Sequence, residues 1–266
     1  MKVADIIAAI EKFAPARIQM DRDNTGLQIG SPAQEVHGVL FGLDCTAELV
    51  REAVRRGCDM IVTHHPLLYS PLRSIDPAEP VGAAIFEAVR GGVAVYAAHT
   101  SADKVLAGVS GAMARRLGLQ NVRVLAPEGR LPGDEGAEYG FGAVGDLPEK
   151  LTAAGAVELI KKAFGLKFLR TSPLIDGPVR TIAVCGGSGG SLIGDAIAAG
   201  AQLFLCGDLS YHAFSVPDGF MVADAGHFET EVGIVEIFLS VLRKNFPNFA
   251  LLVSENIGKA NPVNYM

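Results

Sequence analysis

Two adjacent histidines, His64-His65, follow the apolar run Met60-Ile61-Val62 and precede Pro66. Successive side chains of a strand point to opposite faces, so a pair at its end cannot both face a core. At least one imidazole must look into a loop-lined crevice. Neutral imidazole is the commonest nitrogen ligand for Zn, Fe, Mn and Ni, and diverging neighbours can each serve a different ion. A second group is Ala225-Gly226-His227-Phe228-Glu229-Thr230-Glu231, where His227 and Glu231 stand four apart and share one face if the turn is helical. Glu231 could hold one ion with His227 or touch two ions with its two oxygens. The other reading is an ordinary helix start, with the acids near the positive end of the dipole and His227 as a polar cap. The third group is His99-Thr100-Ser101-Ala102-Asp103-Lys104. Asp103 offers a hard oxygen, His99 is a ligand or an orienting partner behind one, and Thr100 or Ser101 alternatively caps a helix.

His64, His65, Asp103, His227 and Glu231 together offer three imidazoles and two carboxylates. With solvent in the open positions, that set suits two divalent ions roughly 3.5 Å apart, a hydrolytic type of centre. Mixed nitrogen and oxygen ligation fits Zn, Fe, Mn, Co or Ni and does not select among them. Two further features carry weaker chemistry. The segment Gly186–Ser191, through Gly187, Ser188 and Gly189, is either a backbone cradle for a phosphate or a tight turn with close helix-sheet packing. His212 is either a general acid or base facing the ions or a structural hydrogen-bonding residue, and His37 reads as structural.

These residues need strand ends to carry them. The start MKVADIIAAIEKFAPARI reads as an amphipathic helix, followed by strand VHGVLFGLD, helix TAELVREAVRRGC with Thr46 as N-cap, strand DMIVTHH, a proline-rich loop, helix VGAAIFEAVRGG, strand VAVYAAH and helix GVSGAMARRL. Repeated strand-helix alternation predicts a three-layer α/β/α domain with a mostly parallel, mixed sheet, whose ligands gather at the carboxyl ends of strands. His64, His65 and His99 all fall at such ends. The Gly-, Pro- and acid-rich stretch beginning at Ala126 predicts a boundary, giving domains 1–126 and 127–266. The second would run through strand TIAVC, helix SLIGDAIAAG, strands AQLFLCG and FMVADAG, one long helix ETEVGIVEIFLSVLRKNF and strand FALLVSE. The shared rhythm of the halves raises an internal structural duplication.

Composition narrows the class. The chain has 266 residues, 49% hydrophobic, with a formal net charge of −6. That balance argues against a protein whose main work is to neutralise nucleic-acid phosphates. No apolar stretch approaches membrane-spanning length and the start lacks a signal-peptide pattern, so a cytoplasmic protein is expected. Cys45, Cys58, Cys185 and Cys206 lack finger-like spacing and read as reduced, small hydrophobes.

The stretches DNTGLQIG from Asp23, VTHHPLLYSPL from Val62, AAHTSAD from Ala97, CGGSGGSLI from Cys185, CGDLSYH from Cys206 and DAGHFETE from Asp224 resemble, in order and across nearly the whole chain, the Nif3-like dinuclear-metal-centre proteins, also called GTP cyclohydrolase 1 type 2 homologues. The resemblance implies metal ligands at His64, His65, Asp103, His227 and Glu231, and a homohexameric toroid built as a trimer of dimers with its centres facing an internal cavity. It also keeps the Gly186–Ser191 segment near the cleft. Arg22, Ser101 and Cys206 depart from the Trp, Asn and Thr usual at those places, beside the ligands rather than among them. The implied activity is a dinuclear metal-dependent hydrolase using metal-bridged water on a nucleotide or related small molecule; the GTP cyclohydrolase name would make the target C8 of guanine. The alternative is a non-catalytic metal-binding, chaperone or adaptor ring.

Overall fold

A computed structural model describes residues 1–131 and 136–264. The chain is mixed α/β and divides into two compact units, residues 1–102 with 234–266, and residues 103–233. This differs from one break near 126: the first unit is assembled from both ends of the chain.

The first unit begins with α1 (Val3–Phe13), whose Val3, Ile6 and Ile10 are fully buried at helical spacing. It continues through β1 (Gly26–Ile29), β2 (Gly38–Gly42), α2 (Ala47–Arg55), β3 (Met60–Thr63), α3 (Pro80–Gly91), β4 (Ala94–Ala97) and the single turn α4 (Thr100–Lys104), which straddles the division. Thr46 caps α2 as expected, its hydroxyl accepting the Leu49 amide at 3.2 Å. The second unit holds α5 (Val109–Arg116), β5 (Gln120–Arg130), β6 (Glu138–Leu151), α6 (Ala153–Phe164), β7 (Arg170–Thr171), β8 (Val179–Ser188), α7 (Ile193–Ala198), β9 (Leu203–Gly207), β10 (Met221–Asp224) and the short α8 (His227–Glu231). The chain then returns to the first unit as α9 (Ile234–Asn245) and β11 (Ala250–Val253). The single long helix expected over this region is therefore two, separated at Val232 and Gly233.

The first sheet has the order β1-β4-β3-β2-β11, parallel except for β1. Leu40, Ile61 and Val95 point into a core with α2 and α3, including Leu49, Val50, Ala53 and Ala88. The alternate residues Phe41, Met60, Val62 and Tyr96 are fully buried as well, so both faces are covered. β11 is tied to α2 by buried Glu52, which accepts from the Ser254 hydroxyl at 2.7 Å, the Glu255 amide at 2.9 Å and Arg56 at 2.7 Å. Burial alone would raise the Glu52 pKa, but these hydrogen bonds and the Arg56 charge outweigh it and hold the carboxyl below its ordinary value.

The second sheet has the order β5-β6-β8-β9-β10-β7. Strands β8, β9 and β10 are parallel, and the others antiparallel to their neighbours. Ile182 and Val184 face α5 and α6, while Ala183 and Cys185 face α7, which makes three layers again. The stretch expected to mark a domain boundary supplies most of a long antiparallel pair, β5 and β6. Its glycines serve close packing: a Cβ on Gly140 would lie 2.0 Å from the Ala126 carbonyl oxygen. Residues 132–135 of that stretch lie outside the described residues.

All four cysteines are free and buried, and burial pushes the Cys45 and Cys206 thiols up to about 12, as suits inert packing groups. Among the described residues no helix is long and apolar enough to cross a membrane.

Candidate metal centre

In the first unit β3 and β4 are parallel neighbours with Thr63 opposite Ala97, so His64-His65 and His99 leave the sheet at the same edge. The Leu43 carbonyl accepts both the His64 and His65 amides, at 3.1 and 3.0 Å. The three rings then cluster, with centroids 5.1 to 5.6 Å apart. One ligating nitrogen from each lies within 4.8 Å of the others, close enough to hold a metal ion.

Each ring is fixed through the same atom. His64 Nδ1 donates to the Ala98 carbonyl at 2.9 Å, His65 Nδ1 to Asp44 Oδ1 at 2.7 Å, and His99 Nδ1 to Asp23 Oδ1 at 2.8 Å. A carbonyl or carboxylate can only accept, so Nδ1 carries the proton and Nε2 is the nitrogen able to ligate an ion. Asp23 is itself a hub, its side chain 2% exposed, accepting from the Asn24 and Thr100 amides and the Thr100 hydroxyl. Burial opposes its ionisation, but the bonds from His99 and Thr100 prevail and hold the carboxyl well below the usual range.

The second unit builds its group at the ends of β9 and β10, where Cys206 stands opposite Asp224. Asp208 follows β9 and accepts from His227 Nδ1 at 2.8 Å, while His227 Nε2 lies 2.9 Å from Glu231 Oε2 in the single turn of α8. The Asp224 carboxylate accepts the Leu209 and Gly226 amides at 3.0 and 2.9 Å, fixing the segments that carry Asp208 and His227. Glu231 is buried, and its oxygen and that of Asp103 lie within 4.8 Å of one another. Beside them the Cys185 thiol is pushed up by burial and by the charges of Asp103, Cys206 and Glu231.

Gly187 explains how Glu231 fits. Its φ is +60°, and a Cβ there would lie 2.1 Å from Glu231 Oε1. Its amide donates to Thr230 Oγ1 at 3.0 Å, while Ser188 continues β8 opposite Gly207 and Gly189 packs against Cys206 and Cys185. The Gly187-Ser188-Gly189 segment, expected as a phosphate cradle or a close-packed turn, thus forms strand and close packing, with the Gly187 amide committed to Thr230.

The structure therefore gathers His64, His65 and His99 in the first unit and Asp103, His227 and Glu231 in the second. His212 falls in neither group; its ring packs edge-on against Tyr211, centroids 5.3 Å apart. His37 bonds Asp59 at 2.7 Å with its side chain 75% exposed, a surface pair without other imidazoles. The orienting carboxylates Asp23, Asp44 and Asp208 were not singled out from sequence. Asp44 and Asp208 each stand just past a strand's carboxyl end, which was the available signal.

Fixed imidazole tautomers and carboxylate oxygens are donors that could hold a metal ion. The sequence profile of Duf34/NIF3 (NGG1p interacting factor 3) matches residues 1–260. The chain is 32% identical over 262 residues to the GTP cyclohydrolase 1 type 2 homolog of Clostridium acetobutylicum, covering 96% of both chains. It is 35% identical over 237 residues to that of Streptomyces coelicolor, covering 86% of this chain and 81% of that one. Among solved structures, a Bacillus cereus protein related to NIF3 superimposes with TM-score 0.91 at 25% identity, over 100% of this chain and 99% of that one. Reduced HcgD from Methanocaldococcus jannaschii gives 0.78 at 29% identity, over 96% and 98%. Its sequence throughout residues 1–260 and its fold both place this chain in the Duf34/NIF3 family.

Proposed function

We propose that the chain is a dinuclear metal-dependent hydrolase acting on a nucleotide or related small molecule, with His64, His65, Asp103, His227 and Glu231 holding two divalent ions. One observation carries the reading: of the five histidines whose Nδ1 is held by a carbonyl or carboxylate, four, His64, His65, His99 and His227, also stand where further imidazole or carboxylate ligand atoms come close enough to hold an ion, as surface His37 does not. Divalent ions in such a set supply Lewis acidity and lower the pKa of a coordinated water. The protein's own part is positional. Asp44 and Asp208 keep the protons of His65 and His227 on Nδ1, Glu231 presents two oxygens from a buried turn, and Asp23 orients His99 as an acid-base or supporting residue. The names of the curated relatives support a nucleotide as substrate class. We also propose a cytoplasmic homohexamer, arranged as a trimer of dimers, which light scattering would test.

Metal analysis of protein purified without added metal, joined to turnover on a nucleotide and phosphoester panel, tests the reading against a His65→Ala/Glu231→Ala double variant. The expected result is about two ions per chain and turnover in the parent, with both lost in the variant. Equal turnover in the two proteins would remove the hydrolase assignment from this site. Bound metal with no turnover would favour the non-catalytic metal-binding or adaptor role.

A further inference from the structure

A pocket of about 580 Å³ in the second unit is lined by Arg170, Thr171, Tyr211, His212, Phe214 and Ser215. Its volume lies within the roughly 300–1,000 Å³ usual for small-molecule sites. Five of these six side chains carry an N–H or O–H donor, and none is a carboxylate. The lining is therefore matched to an acceptor-rich, negatively charged group.

It also presents aromatic surface. The Arg170 guanidinium lies 4.8 Å from the Phe214 ring centroid, and Tyr211 is 85% exposed, with His212 set edge-on against it. Tyr211 thus offers an open ring on which a planar group can stack. Arg170 is also held in place before any ligand arrives, since it donates to Asp224 Oδ2 at 2.9 Å and to the Leu209 carbonyl at 3.0 Å. Its side chain nevertheless stays 58% exposed, and a guanidinium has five N–H donors to offer.

We propose that this pocket binds an aromatic anion of the nucleoside monophosphate class, its phosphate met by Arg170 and the neighbouring hydroxyls and its base stacked on Tyr211. The site uses none of the candidate metal ligands and does not depend on the hydrolase reading.

Equilibrium titration with GMP tests it, in the full-length His65→Ala/Glu231→Ala background so that binding at the metal ligands does not contribute. Arg170 is left intact, because removing it would strip a partner from buried Asp224. The exposed Tyr211 and Ser215 are changed instead, with thermal melting to confirm the fold. Ser215→Asp should weaken GMP by about tenfold or more through like-charge repulsion, and Tyr211→Ala by about 5- to 50-fold through lost stacking. Inorganic phosphate should bind more weakly than GMP and be indifferent to Tyr211→Ala. Absence of GMP binding, GMP affinity unchanged by both substitutions, or phosphate binding as tightly as GMP would each overturn the proposal.

Discussion

His99 and Asp103 stand four apart after β4, as His227 and Glu231 stand four apart after β10. In each case the strand ends a run of parallel neighbours, β11-β2-β3-β4 or β8-β9-β10, with a short antiparallel strand, β1 or β7, on its far side. A one-turn helix follows in both, and an aspartate holds the histidine Nδ1 in both. The means of support differ. Asp23 is almost fully buried and gathers several donors, whereas the Asp208 side chain is 58% exposed. In the first unit His99 stands among other imidazoles; in the second His227 meets its own turn's carboxylate, which a missing side chain at Gly187 admits. One backbone plan thus carries two ways of fixing a donor: a buried acid behind it, or an empty place beside it.

The largest expected effect separates those two supports. Asp23→Ala orphans several buried donors and should cost about 3 kcal/mol in urea denaturation, whereas Asp208→Ala should cost less than about 0.5 kcal/mol; similar losses would erase the distinction. Next, Gly187→Ala forces Glu231 aside and takes a positive φ, so stability should fall by about 2 kcal/mol, with ion content falling too. Gly233→Ala, with nothing within 4 Å of its Cβ, is the control and should leave ion content unchanged. Smaller still, Asp44→Ala and Asp208→Ala should each weaken metal affinity by about 10- to 100-fold in chelator competition, while His37→Ala leaves it unchanged. An equal loss in His37→Ala would mean that the Nδ1 contact alone says nothing about a centre. The mildest effect concerns acid. Because the Glu52 pKa lies below its ordinary 4.5 in the fold, its contribution is complete above that value and is lost as pH falls toward the folded pKa. Melting temperature should therefore drop on acidification below about 4.5, and Glu52→Gln should flatten that slope.

How much of this was written in the sequence follows from the range of each contact. The histidines at strand ends and the four-residue spacing of His227 and Glu231 are local patterns, and the α/β layering follows from apolar runs alternating with amphipathic ones. Asp23 meets His99 across 76 residues and Asp44 meets His65 across 21, pairings that only the folded strand order creates. The glycines near 126–150 resemble a linker because a strand that needs close backbone approach and a loop that needs freedom both select glycine. β11 is a short apolar run like others, and nothing in it announces that it pairs with β2 rather than with the strands nearest in sequence.

That pairing has a consequence for a chain made from its amino end. The flank of β2 that β11 will cover exposes unpaired backbone until residues 250–253 emerge, about two hundred residues after β2 itself. The second unit, continuous from 103 to 233, can close its own sheet without that delay. During synthesis the nascent first sheet is thus the aggregation-exposed element, and it stays open-edged until β11 has left the ribosome.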